Sequence, residues 1–134
     1  MELWGITDSG KIRRENQDVF KILFDEDKDV AVLVVCDGMG GARAGNIASS
    51  LAADAFMHSM GKYVEDIGEL VDIAQRMEDA VIYANNMVYE KSMRANEYFG
   101  MGTTLTAAIS TSDGEVVVNI GDSRAYHATS SSIT

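Results

Sequence analysis

Seven consecutive apolar residues, Val30 to Cys36, run directly into Asp37 and then into a loop with three glycines in four positions, Gly38, Gly40 and Gly41. A short apolar run bounded by glycines reads as a buried strand, and this one delivers a single carboxylate onto its far end. Glycines tolerate positive φ and let a ligand or metal approach the backbone closely. The competing reading is purely structural: a strand, a tight turn and a helix start, with Asp37 as the capping residue.

Around that stretch, 134 residues with 46% apolar content are enough for one globular domain or part of one. The formal charge of -10, from 21 acidic against 11 basic residues, disfavours nonspecific binding to nucleic acid or anionic lipid and favours metal cations. No nucleic-acid or membrane partner is expected. The single cysteine, Cys36, excludes an intramolecular disulfide and a cysteine-rich zinc site and fits a reducing compartment. With no export signal and no apolar run long enough to span a bilayer, the chain is expected in the cytoplasm.

Met1 to Asp8 alternates like a short strand, and Asp8-Ser9-Gly10 supplies a turn. The apolar Val19 to Phe24 and the Val30 run are joined by the charged Asp25 to Asp29, which predicts a hairpin with a solvated connection. Ala44 to Met60, with Ile47, Leu51 and Ala55 in helical spacing, predicts one helix, and Glu69 to about Asn96 predicts a second beyond the Gly61-to-Gly68 region. From Gly102 the period changes to two, with a turn at Ser112-Asp113-Gly114 between two strands. Strands and helices fall in separate runs, which favours α+β layers with antiparallel sheets.

Spacing decides among the chemistries a glycine loop can serve. A cysteine phosphatase needs five residues between thiolate and arginine, but six separate Cys36 from Arg43. The dinucleotide pattern fails because Arg43 stands where its third glycine belongs, and the P-loop fails because Asn46 follows Gly45. Phosphoaspartate hydrolases carry a second aspartate two residues on, where this chain has Met39, so Asp37 reads as a ligand rather than a nucleophile. A carboxylate beside a glycine carbonyl offers hard oxygen donors suited to Mg2+ or Mn2+. Asp18 and Asp122 lie at the ends of other predicted strands, and Arg13 supplies a cation able to grip an anionic substrate with both ends of its guanidinium. Three acids and an arginine at strand termini read as a metal-assisted phosphoryl site.

Four ordered motifs carry a resemblance to a known family. They are T-x-x-G-x-x-R-x-x-N-Q-D (Thr7 to Asp18), V-C-D-G-M-G-G (Val35 to Gly41), M-G-T-T (Met101 to Thr104) and N-I-G-D-S-R (Asn119 to Arg124). Together they resemble the metal-dependent protein serine/threonine phosphatases of the PP2C type, in their bacterial form. The resemblance implies an αββα sandwich of two antiparallel sheets flanked by helices. It implies Asp37 as a carboxylate bridging two metals, Gly38 as a backbone carbonyl ligand, Asp18 acting through water on the other metal, and Arg13 as the holder of the substrate phosphate. Asp122 resembles the residue that helps bind a third, weaker ion. The implied cofactors are two or three Mn2+ or Mg2+ ions, and the implied reaction is attack by water on the phosphorus of a phosphoserine or phosphothreonine in a kinase substrate.

Two departures accompany the match. Ala42 and Asn46 stand where bacterial members carry His and Glu. By the resemblance the family also continues for roughly another hundred residues, with further metal-ligand aspartates, so residues 1–134 are expected to be the N-terminal half of one PP2C-like domain, incomplete at its C-terminus. Such a piece is expected to bind metal weakly or not at all, to lack turnover, and to present open sheet edges that invite dimerisation or strand exchange. The alternative is a noncatalytic phosphatase-like module that binds a protein partner or a phosphoresidue.

Overall fold

In the computed structural model of the chain, residues 1–12, 14–65 and 70–134 are described. They form β1 (Asp18–Asp25), β2 (Val30–Met39), α1 (Ala42–Val64), α2 (Leu70–Ser92), a 3-10 turn at Asn96–Tyr98, β3 (Gly102–Thr103), β4 (Leu105–Thr111) and β5 (Gly114–Ile120). The two expected hairpins are both present and antiparallel, with Val19 opposite Cys36 and Ala107 opposite Val118. Between them, β2 pairs with β4 so that the sheet runs β1-β2-β4-β5, and β3 extends the same partnership to the end of β2.

Alternation along the strands sorts the side chains. Val32, Val34 and Cys36 of β2 face the helices together with Leu105, Ala107 and Ile109 of β4, and all six are buried. Helix α1 presents Ala44, Ala48, Ala52, Phe56 and Met60 to them at four-residue intervals, and α2 adds Ile73, Met77, Ala80, Ala84 and Val88. The many alanines let the helix axes come close to the sheet and to each other, leaving Phe56, Met60 and Met77 as the largest fully buried apolar side chains of the helical layer beside Ile73. This is the expected α+β class with antiparallel pairing. Among the described residues it consists of one sheet and one helical layer. The opposite face of the sheet carries Phe20, Ile22, Phe24, Leu33, Val35 and Val117, of which Val35 and Val117 are about half exposed.

Three local expectations differ from the structure. Met1 to Asp8 forms no strand, because no neighbouring strand offers it a hydrogen-bonding edge. Its ties are the N-terminal ammonium to Asp29 at 3.3 Å, Gly5 packed so closely on the Phe20 ring that a Cβ would lie 2.4 Å from it, and the Thr7 hydroxyl accepting from Asn16 at 2.6 Å. Helix α1 runs through Gly61 to Val64, where burial of Val64 offsets the weak helix propensity of glycine. The charged β1–β2 connection is more than a solvated turn: Lys28 Nζ donates to the carbonyls of Val64 and Glu65 at 2.7 and 2.6 Å, placing a cation on the C-terminal end of α1. None of the helices is long and apolar enough to cross a membrane among the described residues.

Cys36 sits fully inside this core. Burial pushes its thiol up to about 12, with the Thr103 hydroxyl pulling slightly the other way. Ionisation is therefore opposed by the fold, and the stability this represents is present below the thiol's ordinary range and is lost as pH rises toward the folded value. At pH 9 the native chain should react with iodoacetamide at least about 100-fold more slowly than the urea-unfolded chain. Mass spectrometry after timed quenching checks it; comparable rates would place Cys36 outside the core.

Candidate metal site

Asp18 is the first residue of β1 and Asp37 lies near the end of β2, and the register sets them directly opposite each other. Directly opposed residues project from the same face with Cβ atoms roughly 5 Å apart. The two carboxylates therefore stand side by side on the face away from the helices. Like charges so placed repel, and a divalent cation with oxygen preference is their natural counterion.

The start of β1 is held by a small relay. The Asp18 amide donates to Asn16 Oδ1 at 3.0 Å, while Asn16 Nδ2 donates to Thr7 at 2.6 Å, so three of the motif positions before β1 brace one another. Gly10 closes the preceding turn by donating to Asp8 Oδ1 at 2.7 Å. Gln17 reaches across to the other side of the site, where its Nε2 donates to the Gly41 carbonyl at 3.0 Å.

After Asp37 the chain needs two residues, Gly40 and Gly41, to turn from strand into helix. Gly40 has φ of 122° and an added Cβ would lie 2.7 Å from the Met101 Cα, so both conformation and space require glycine there. Gly38 has a different constraint: its Cβ would lie 2.1 Å from the Gly45 carbonyl oxygen, because the first turn of α1 presses onto the strand end. Its amide donates to the Gln17 carbonyl at 3.2 Å. The helix cap is Gly41, without a side-chain cap bond, so Asp37 is not the capping residue.

Asp37 itself is clamped by the strand opposite. Its amide donates to Thr104 Oγ1 at 3.0 Å, and its carbonyl accepts from the Thr104 amide at 2.9 Å and from the Thr103 hydroxyl at 3.0 Å. Asp122 lies in the exposed turn after β5, where the neighbouring Ser123 hydroxyl is 2.8 Å from Thr104 Oγ1. The fold thus brings Asp18, Asp37 and Gly38 together and anchors the Asp122 turn nearby. Among the described residues, no group of three or more His, Cys, Asp or Glu side chains gathers closely enough to hold a metal. Arg13 lies outside the described residues. Gln17, Thr104 and Ser123 emerge as supports that residue type alone did not single out; their one sequence signal is that each adjoins a motif residue.

The donor set suits a hard cation: two carboxylates on one face, a glycine backbone that no side chain covers, and no thiolate available from the buried Cys36. It is a partial cradle.

Residues 12–133 match the family described as protein phosphatase 2C. A serine/threonine phosphatase of Listeria innocua is 38% identical over 127 residues, which span 90% of this chain and 47% of the relative. Serine/threonine phosphatase Stp1 of Staphylococcus aureus superposes with a TM-score of 0.83 at 32% identity, covering 96% of this chain and 50% of that one. The catalytic domain of the serine/threonine protein phosphatase PstP, solved in complex with two manganese ions, superposes with a TM-score of 0.74 at 30% identity over 95% of this chain and 50% of that one. The chain spans about half the length of these relatives.

Proposed function

The chain belongs to the protein phosphatase 2C family, and from that membership we propose that it supplies part of the metal-binding and phosphate-binding machinery of a protein serine/threonine phosphatase. The observation that carries this reading is the same-face pairing of Asp18 with Asp37 beside a backbone kept bare at Gly38. Asp37 and the Gly38 carbonyl would hold Mn2+ or Mg2+, Asp18 would act on a neighbouring ion through water, and Asp122 would help hold a further one. When bound, such ions supply neutralisation of phosphoryl charge and a water of lowered pKa.

The chain's own residues orient those donors. Thr103 and Thr104 fix the Asp37 peptide on one side, the Gln17 carbonyl fixes the Gly38 amide on the other, and Asn16 fixes the start of β1. Arg13, assigned by the motif it occupies, would meet the phosphate of a phosphoserine or phosphothreonine in a protein substrate of a serine/threonine kinase. With two clustered carboxylates the 134-residue chain alone would bind metal weakly and lack turnover, consistent with its spanning half of its relatives.

The test is Mn2+-dependent release of phosphate from a phosphothreonine peptide. The chain alone is expected to release none. A full-length domain containing it is expected to turn over and to lose activity on the order of 1,000-fold on Asp37→Asn. Full turnover by the Asp37→Asn protein would overturn the assignment. A full-length protein that binds the phosphopeptide without any metal-dependent turnover would instead support a noncatalytic phosphopeptide-binding module.

A further inference from the structure

The register of β2 against β3 and β4 is continuous, with Val35 opposite Thr106 and Gly38 opposite Thr103, so Thr104 falls directly across from Asp37. A regular ladder at such a pair exchanges two backbone bonds. Here one of the two is made by a side chain: the Thr104 amide donates to the Asp37 carbonyl, while the Asp37 amide donates to the Thr104 hydroxyl. Thr104 is 3% exposed, so this hydroxyl works where water does not compete.

The same side chain touches both residues that flank Asp122. Ser123 Oγ lies 2.8 Å from the Thr104 hydroxyl. On the other flank, Gly121 is held against the Thr104 methyl so closely that an added Cβ would come within 2.7 Å of it, and its φ of 105° reserves the position for glycine. Proton counting is consistent: the hydroxyl accepts from Asp37 and has one proton and one lone pair left for Ser123.

We propose that Thr104 is a positioning residue of the metal site, holding the Asp37 backbone and the Gly121–Ser123 turn at a fixed separation through its hydroxyl and its methyl group. This rests on the reading that Asp37 and Asp122 serve the same centre. Without the hydroxyl, the Asp37 amide is either left buried with no acceptor or draws the Thr104 carbonyl into the ladder, and either change moves the carboxylate relative to Asp18 and to the turn. Thr104 touches no reacting atom; it acts through the residues it holds.

Titrating Mn2+ into the isotopically labelled 134-residue chain, and following paramagnetic broadening of amide signals around Gly38, tests this without any turnover. Thr104→Val is expected to raise the Mn2+ concentration for half-broadening about 10-fold, the scale on which groups that orient metal ligands act, and Thr104→Ser to stay within about 2-fold of wild type. Thr104→Val titrating like wild type while Asp37→Asn abolishes the broadening would overturn the proposal alone, as would a Thr104→Ser loss equal to that of Thr104→Val. Wild-type signals indifferent to Mn2+, or broadening that survives Asp37→Asn, would overturn the metal reading and this proposal with it. Should Thr104→Val fail to fold, Ser123→Ala decides instead: binding weakened by about 3-fold or more supports the pin, and wild-type binding removes it.

Discussion

Replacing Gly38 by alanine should lower the thermal midpoint of the chain by about 10 °C, a loss near 3 kcal/mol at the upper end of what overpacking ordinarily costs. The new methyl would lie 2.1 Å from the Gly45 carbonyl oxygen and 2.6 Å from its carbon, both backbone atoms of the first turn of α1. Neither can swing aside as a side chain can. That carbonyl also accepts from the buried Ser49 hydroxyl at 3.1 Å, so moving it breaks a second bond. Gly45→Ala is the informative control. Its Cβ would meet Gln17 Oε1 at 2.5 Å, the far end of a flexible side chain, and alanine within a helix gains roughly 0.5–1 kcal/mol over glycine. The strain and the gain then nearly cancel, and Gly45→Ala should unfold within a few degrees of wild type. Circular dichroism melts of the three proteins decide the matter. A Gly38→Ala midpoint equal to that of Gly45→Ala would mean that helix and strand are not in the contact described.

The second large effect is expected at Phe56, which is fully buried at the centre of α1. Phe56→Ala should cost about 3–5 kcal/mol in urea unfolding, a substantial part of the roughly 5–15 kcal/mol that holds an ordinary domain together. The upper part of that range is favoured by the neighbours. Along α1 the inward positions before Phe56 are Ala44, Ala48 and Ala52, and the sheet beneath already lies close, so nothing long is at hand to fill the space. Tyr89→Ala, on α2 at 62% exposed, should stay within about 0.5 kcal/mol of wild type. Equal losses at the two positions would contradict the helical packing.

Much of this was legible in advance because it rests on period and punctuation. The Val30–Cys36 run, the alternation after Gly102 and the four-residue spacing of alanines in α1 each specify an element and the face it buries. The motif spacing also named Asp18 and Asp37 without giving their distance. Their cross-strand pairing depends on the register of β1 on β2, which the intervening Asp25 to Asp29 connection sets and which no count along the chain states. Thr104 escaped notice for a related reason: a threonine in a strand is ordinary, and only the register that puts it across from Asp37 turns its hydroxyl into an acceptor for that amide. The Met1 to Asp8 segment shows the converse. Alternation marks a segment able to become a strand, but a strand exists only where another edge receives it.

The sheet order β1-β2-β4-β5 has one long-range step, from β2 to β4, and both helices are spent bridging it. Every buried apolar residue of the core therefore lies between Val30 and Ile109. At ribosomal speeds of about 5–20 residues per second, that stretch leaves the exit tunnel within seconds. During synthesis of a longer polypeptide the helical side can close behind the ribosome, while the half-exposed Ile22, Phe24, Val35 and Val117 stay uncovered. For that interval the nascent chain is a folded body with one adhesive side, which is the kind of surface chaperones recognise.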